Sequence, residues 1–368
     1  MNSTVSRPDR RTFLKTVSTV STALALGGPG PVLAQPARRH EIKLGLDNFS
    51  VRAMGWKALQ LIDYAAQLKT DSLFITDLDA LETLEEAHLR ELKSKAADVG
   101  LQIHLGTWSI CPTSRAFKDK WGPAGEHLAL GLRLAKAVGS PVLRVILGTG
   151  KDRTTEGGIE ARIADTVKVC QSQRGRALDL GVKIAVENHA GDMQAWELVT
   201  LIEAAGKDYV GANLDSGNAV WTMEDPLASL ETLAPYVVTT SLRDSAIWES
   251  ANGATAQWTA MGEGTTDLKT YFRRFAELCP GVPVHIETIS GFNQEIPYLQ
   301  EEFWKPWPKA RAKDFARFVA LAKRGKPRQA WKTPDGQDRK LAEQAYQKGE
   351  IERSLRYCKE QLGLGLKS

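Results

Sequence analysis

Three carboxylates stand where apolar runs end: Glu187 in IAVENHAGD (184–192), Asp215 in GANLDSGN (211–218) and Glu287 in VHIETISGF (284–292). A fourth run, TTSLRD (239–244), ends on Ser241, Arg243 and Asp244. A parallel barrel keeps its chemistry at the C-terminal ends of its strands, so these endings read as an active face. Side chains alternate along a strand, which puts Ala185, Glu187 and His189 on one face and His285 and Glu287 on another. Inside a closed barrel an ionised carboxylate is costly unless it is paired, hydrogen-bonded or metal-bound. Three in one cavity therefore ask for a divalent cation. Asp215 followed by Ser216 also reads as the start of a helix, a purely structural use for the same carboxylate.

Eight short apolar runs can position these groups: 42–48, 72–77, 101–108, 141–148, 182–189, 210–217, 237–244 and 282–288. Between them lie Ala/Leu/Glu/Lys-rich stretches at helical spacing: 53–69, 83–98, 125–138, 157–180, 194–206, 226–234 and 267–278, with 310–325 as the eighth helix. Gly100, Gly139 and Gly181 precede the third, fourth and fifth strands, where a helix end favours a left-handed residue. No G-x-G-x-x-G follows the first strand, which argues against an open dinucleotide-binding sheet. The fold class is α/β, a (β/α)8 TIM barrel over residues 35–325 with a C-terminal helical extension at 326–368. Residues 245–266 are expected to be a long functional loop after the seventh strand. The extension is expected to lie against the barrel or a neighbouring subunit, which leaves a homo-oligomer open.

Parity turns His104 and Trp108 inward on the third strand as substrate contacts, and Arg144 on the fourth can anchor an anion or hydroxyl or form a structural ion pair. Trp108, Trp221, Trp248 and Trp258 fall near the active end and suit stacking on the flat face of a small ligand, though core packing is the stronger reading for any single one. His40, His88 and His127 lie outside strand ends and read as surface groups.

The first 34 residues are set apart from the fold. Arg10-Arg11-Thr12-Phe13-Leu14-Lys15, an apolar run from Val17 to Leu26 and the small-residue site Val32-Leu33-Ala34 resemble a twin-arginine export signal cut after Ala34, which implies a periplasmic or otherwise exported protein. That run is far short of the ~20 residues that span a bilayer, so no stable membrane insertion is expected after cleavage. The segment holds Arg7, Arg10, Arg11 and Lys15 against Asp9, so cleavage lowers the formal charge from +4 to +1. A nearly neutral chain has no electrostatic case for binding nucleic acid. Cys111, Cys170, Cys279 and Cys358 show no metal-knuckle spacing and read as buried, unpaired thiols.

In order along the chain, ENHAGD, NLDSGN, SLRD, GEGTTD and HIET resemble the sugar phosphate isomerase/epimerase superfamily, the xylose isomerase-like TIM barrels, over roughly residues 42–325. The resemblance implies one divalent ion, Mn²⁺ or Mg²⁺ foremost with Co²⁺ or Zn²⁺ as alternatives, held in a Glu, Asp, His, Glu pattern. Its ligands would be Glu187, Asp215, the seventh-strand position and Glu287. The chain departs at that seventh-strand position: Ser241 replaces the family's histidine, Arg243 its lysine, and Asn218 stands where many relatives carry another histidine. Loss of imidazole favours the oxygen-preferring ions and admits a metal-poor site, with His189 and His285 as substitutes. The implied activity is isomerisation or epimerisation of a small carbohydrate. Glu187 and Glu287 would move protons next to a carbonyl, Arg243 would face the developing oxyanion, and His104, Trp108, Arg144, His189 and Asn218 would hold the sugar. The alternatives are a lyase or hydratase acting on 3-keto-glycosides with the same site, and a carbohydrate-binding barrel without catalysis.

Overall fold

The computed structural model describes residues 41–367, so the predicted export segment, residues 1–34, lies outside the described residues. Eight parallel strands form the barrel: β1 (Leu44–Asp47), β2 (Ser72–Ile75), β3 (Gln102–Ser109), β4 (Val142–Ile146), β5 (Lys183–Glu187), β6 (Val210–Leu214), β7 (Val237–Thr240) and, after an insertion, β10 (Val284–Ile286). They run side by side in the order β10, β1, β2, β3, β4, β5, β6, β7. The ring closes between β7 and β10 on little more than one residue. Leu242 pairs with Ile286, its N–H donating to the His285 carbonyl at 2.7 Å while its own carbonyl accepts from Glu287 N–H at 2.9 Å. At this loose seam the chain leaves the regular ladder, which frees Ser241 and Arg243 to take positions set by side chains.

Helices α1 (Ala58–Gln67), α2 (Glu86–Asp98), α3 (Ala124–Val138), α4 (Gly158–Ser172), α5 (Arg174–Leu180), α6 (Ala195–Ala205), α7 (Ser216–Trp221), α8 (Pro226–Leu233) and α9 (Leu268–Leu278) fill the connections. Their apolar positions recur at three and four residues, as with Leu89, Leu92 and Ala96 on α2, and bury against strand side chains such as Leu73 and Ile75. Truncating one such leucine to alanine costs about 2–5 kcal/mol. Gly139 and Gly181 end α3 and α5 at φ 77° and 64°, the left-handed caps expected from the sequence.

Two predicted elements change. Residues 245–266 are not an irregular loop but chiefly a hairpin, β8 (Asp244–Ser250) and β9 (Gly253–Thr259), which with β11 (Asn293–Ile296) makes a three-stranded antiparallel sheet. The sheet is covered on both faces, so small and polar residues such as Ala254, Thr255, Ala256 and Gln257 are all buried and no apolar–polar alternation marks them in the sequence. The helix expected at 310–325 forms as α11 (Ala312–Ala322), after a single turn α10 (Glu301–Trp304), but α11 packs Phe318 and Leu321 beneath this small sheet with Ile247, Ala256 and Trp258.

The eighth barrel helix comes later, from the segment expected to be an appended tail. Helix α12 (Arg339–Leu362) lies against α9, β10 and the 3-10 turn Asn48–Met54 that follows β1. Its Ile351, Leu355, Cys358 and Leu362 join the main core. Gln347 Oε1 accepts from Ala53 N–H at 2.8 Å near the active face. At the other end Gly365 N–H reaches the Ile42 carbonyl at 2.9 Å, so the helix descends the barrel wall as a β/α unit requires. This helix thus covers the flank formed by β10 and the turn after β1. All four cysteines are buried and unpaired, as expected. No helix among the described residues is long and apolar enough to cross a membrane.

Candidate active site

Glu187 ends β5, Asp215 follows β6 and Glu287 follows β10, so the three carboxylates meet at the C-terminal mouth of the barrel. Asp215 serves both uses open to it. Its Oδ1 caps α7 by accepting from Gly217 N–H at 2.7 Å and Asn218 N–H at 2.9 Å, while Oδ2 takes part in the charge cluster. The partner in that cluster is Arg243, whose Nη2 donates to both Asp215 Oδ2 and Glu287 Oε2.

Several neighbours fix Arg243. The Ser216 hydroxyl clips its backbone, donating to the Arg243 carbonyl at 2.6 Å and accepting from its N–H at 3.0 Å. The guanidinium lies 4.2 Å over the Trp258 ring, and Trp258 is itself anchored through its indole N–H to the Gly217 carbonyl at 2.8 Å. Gly217 matters for its missing side chain, since a Cβ there would run into the Arg243 stem and sit 2.9 Å from Nε. Two of the guanidinium's nitrogens, Nε and Nη1, are buried without a hydrogen-bond partner.

Glu187 is held differently. Its Oε2 accepts from Arg144 Nε at 2.5 Å and Asn213 Nδ2 at 2.8 Å, and Oε1 from Asn218 Nδ2 at 3.2 Å. Arg144 Nη1 also donates to the Thr107 carbonyl, so the pair spans β3, β4 and β5. Ser241 faces a second pair: it donates to Asp47 Oδ2 at 3.0 Å and accepts from Asn213 Nδ2 at 3.2 Å. Asp47 and Asn213 were not singled out from the sequence. Both were legible by the rule that found the others, Asp47 as the last residue of β1 and Asn213 two residues before Asp215 on the same face of β6.

Charge is distributed unevenly over these groups. Burial pushes Asp215 up to about 8, Arg243 offsetting only part of the rise and Glu287 and Glu187 adding to it. Burial also raises Glu287 against the pull of Arg243, and it lifts Asp47 well above the carboxylate range with Glu287 adding. Glu187 moves the other way: burial resists its ionisation, but Arg144, His189 and Arg243 together outweigh burial and hold its carboxyl below the usual value. Burial lowers His189 to about 4 despite Glu187. The His189 Nδ1 lies 2.7 Å from the Gly148 carbonyl, which only accepts, so Nδ1 carries the proton and Nε2 keeps its lone pair.

A cavity of about 220 Å³ opens above the cluster, lined by Arg144, Glu187, Asn218, Arg243 and Glu287 on its floor and by Phe49, Trp108, His189, Trp221, Trp258 and Ile289 on its walls. Trp221 and Trp258 stack at 4.3 Å, and Trp108 meets the His189 ring edge-on at 5.5 Å. The structure therefore brings Trp108, Arg144, His189 and Asn218 together with the carboxylates. It leaves out His104, which lies a layer deeper, bonded to Thr239 Oγ1 at 2.9 Å and packed 4.7 Å from His285, because that inward position falls near the middle of the barrel and not at its mouth. Burial lowers His104 to about 3 and His285 well below its ordinary value, so both are neutral interior groups. Trp248 does not reach the cavity, and His127 is buried against Thr107 Oγ1 at 2.6 Å instead of facing solvent.

The four positions implied as metal ligands do not fit an ion. Asp215 Oδ2 and Glu287 Oε2, which a cation would need at about 2.0–2.6 Å, already receive Arg243 Nη2. Ser241 is turned to Asp47, and Asn213 and Asn218 present amide N–H groups to the carboxylates. Four carboxylates against two guanidiniums leave a formal charge of −2, which two protons or one divalent ion would balance. A divalent charge about 4 Å from a guanidinium meets repulsion of roughly 8 kcal/mol at an effective dielectric of about 20. Among the described residues, no group of three or more His, Cys, Asp or Glu side chains is arranged to hold a metal.

Comparison with known proteins agrees with the architecture. The family described as Xylose isomerase-like TIM barrel matches residues 50–316. A 3-oxo-isoapionate decarboxylase of Pectobacterium atrosepticum is 23% identical over 249 residues, covering 67% of this chain and 78% of that protein. A solved D-psicose 3-epimerase, crystallised in the presence of D-fructose, superposes with TM-score 0.58 at 14% identity, over 88% of this chain and 100% of its own. The IOLI protein with a bound zinc atom gives TM-score 0.51 at 15% identity, over 76% and 98%. At these identities the solved structures speak for the fold alone.

Proposed function

The chain belongs to the family of xylose isomerase-like TIM barrels, and from that premise we propose that it is an enzyme that moves a proton next to the carbonyl of a small carbohydrate, as an isomerase or epimerase. The observation that carries this reading is the Arg243 guanidinium, fixed between Asp215 and Glu287 on the cavity floor, with Nε and Nη1 buried and unpartnered. Two free donors on a buried cation suit the oxygen of a hydroxy-ketone, whose charge grows as the adjacent C–H bond breaks.

Glu287 is the proton acceptor in this reading. Burial already raises its affinity for a proton toward the working range of a general base. It takes the proton from the carbon next to the carbonyl, the electron pair moves into the enediolate, and the new negative charge rests against Arg243. Returning that proton to the former carbonyl carbon, while the hydroxyl proton crosses to the adjacent alkoxide oxygen, completes an isomerisation. In an epimerisation the abstraction starts from the other side, where the His189 Nε2 lone pair, on that wall and three strands away around the ring, takes the proton while a protonated Glu287 returns one to the same carbon from its own side. Glu187, tied on both oxygens, orients Asn218 and keeps a fixed negative charge instead of shuttling protons. The expected divalent ion has no part in these steps, since Arg243 holds the oxygens it would use.

Trp108, Trp221 and Trp258 offer flat apolar faces for a sugar. The same apolar walls suit a second reading, β-elimination from a 3-keto-glycoside with an apolar leaving group. Export by the N-terminal segment would also bring the enzyme to glycosides. Incubation with ketoses, inososes and 3-keto-glycosides in D₂O tests the common step. Deuterium should enter the carbon next to the carbonyl, and Glu287→Gln should stop it. Wild-type protein that exchanges no deuterium with any of the panel leaves the barrel a carbohydrate-binding protein.

A further inference from the structure

We infer that this site works without a resident metal ion, the Arg243 guanidinium holding the place between Asp215 and Glu287 that a divalent cation would take. The inference concerns the cation of the site and not its substrate, so metal content decides it even if the D₂O exchange fails.

Three independent features converge on it. The first is competition for atoms, because the same two oxygens, Asp215 Oδ2 and Glu287 Oε2, converge on one nitrogen of Arg243. An ion could enter only by displacing a guanidinium that is buried and cannot lose its proton.

The second is that the surroundings are shaped to the arginine. Gly217 leaves room for its stem, the Ser216 hydroxyl grips its backbone from both sides, and Trp258 covers its face. A side chain that merely swung in from solvent would not find a glycine, a hydroxyl clip and an anchored indole in register with it.

The third is the sense of the remaining hydrogen bonds. Glu187 and Asp215 meet N–H donors from Arg144, Asn213 and Asn218, and an amide that presents its nitrogen to carboxylates cannot also offer its oxygen to a cation between them. Ser241, at the position of an imidazole ligand, turns its hydroxyl to Asp47. The cluster is thus an anionic floor closed by fixed donors, and Arg243 supplies the electrophile.

The test is metal analysis of the purified protein after growth with added manganese and zinc. It is joined to Mn²⁺ titration followed by electron paramagnetic resonance and to thermal melting with and without chelator. The expected results are substoichiometric metal, an unquenched Mn²⁺ signal and the same melting temperature in both buffers. The double variant Ser241→His/Arg243→Ala should reverse all three, gaining close to one Mn²⁺ or Zn²⁺ and melting higher with the ion than without. One equivalent of metal in the wild-type protein, released by Glu287→Gln, would overturn the inference, and so would a folded double variant that stays metal-free. If the double variant does not accumulate, the wild-type metal content and melting decide the matter by themselves.

Discussion

Arg153 and Arg243 are built from the same parts and end differently. Each is buried, each lies over an indole (Trp307 at 3.7 Å, Trp258 at 4.2 Å), and each meets a buried carboxylate. Every nitrogen of Arg153 is bonded. It forks onto Glu197 with Nη1 at 2.7 Å and Nη2 at 3.0 Å, gives Nη1 also to the Asp192 carbonyl and Nε to the Pro306 carbonyl at 3.0 Å. Arg243 crowds both carboxylate contacts onto one nitrogen and leaves two nitrogens unpartnered. A buried ion pair is weak grounds for a function, because burial usually requires the fold to satisfy every donor. Spare donors on an arginine that lines a cavity are what separate an arginine that holds the molecule together from one placed to meet a substrate.

That contrast can be broken from either side. Arg153→Met leaves Glu197 buried without its charge partner, held by the Gln194 N–H at 2.8 Å, so it should cost the most, about 3–5 kcal/mol in denaturant unfolding, with near-normal turnover per folded molecule. Arg243→Met should lower kcat about 10²–10³-fold, the scale of losing one oxyanion donor, while destabilising the protein less than Arg153→Met. Its partners Asp215 and Glu287 are already raised by burial and can take protons in its absence. Equal unfolding costs with unimpaired turnover would make Arg243 a second structural pair and remove the distinction.

Gly217→Ala sharpens the comparison without touching charge. The new methyl meets the Arg243 stem, so kcat/KM should fall about tenfold, or ~1.4 kcal/mol, and the far-UV spectrum should not change. An unaffected kcat/KM would show that Arg243 has room to move.

The remaining effect is a pH dependence on the structural side. Glu224 accepts from the Ala195 N–H at the start of α6 and from Thr222, and burial pushes it from the ordinary 4.5 up to about 8. The folded chain therefore binds a proton that the unfolded chain has lost above pH 4.5. Stability is full below that pH and declines as pH rises toward 8, by at most about 1.4 kcal/mol per unit. Glu224→Gln should flatten this slope between pH 5 and 8 in melting curves relative to the wild type. An unchanged slope would assign it to another group, such as Asp192, which burial raises as well.

The cysteines, the cap glycines and seven of the eight barrel helices were legible in the sequence because each depends on local pattern. The hairpin β8–β9 was hidden because both of its faces are covered, which erases the period-two signal. Helix α12 was misplaced because a charged, long helix reads as surface until its Ile351, Leu355 and Cys358 are seen to close the last barrel flank.

By itself, the sequence determined that eight apolar strands would end in polar groups and that Glu187, Asp215, Glu287 and Arg243 would share one mouth, since strand alternation and chain order suffice for that. Only the tertiary structure decided what lies between the carboxylates. Whether an arginine points outward, pairs with one acid or bridges two depends on a gap at Gly217, a clip at Ser216, an indole from a distant hairpin and a loose seam between β7 and β10. These are contacts between residues far apart in the chain, and no local pattern encodes them.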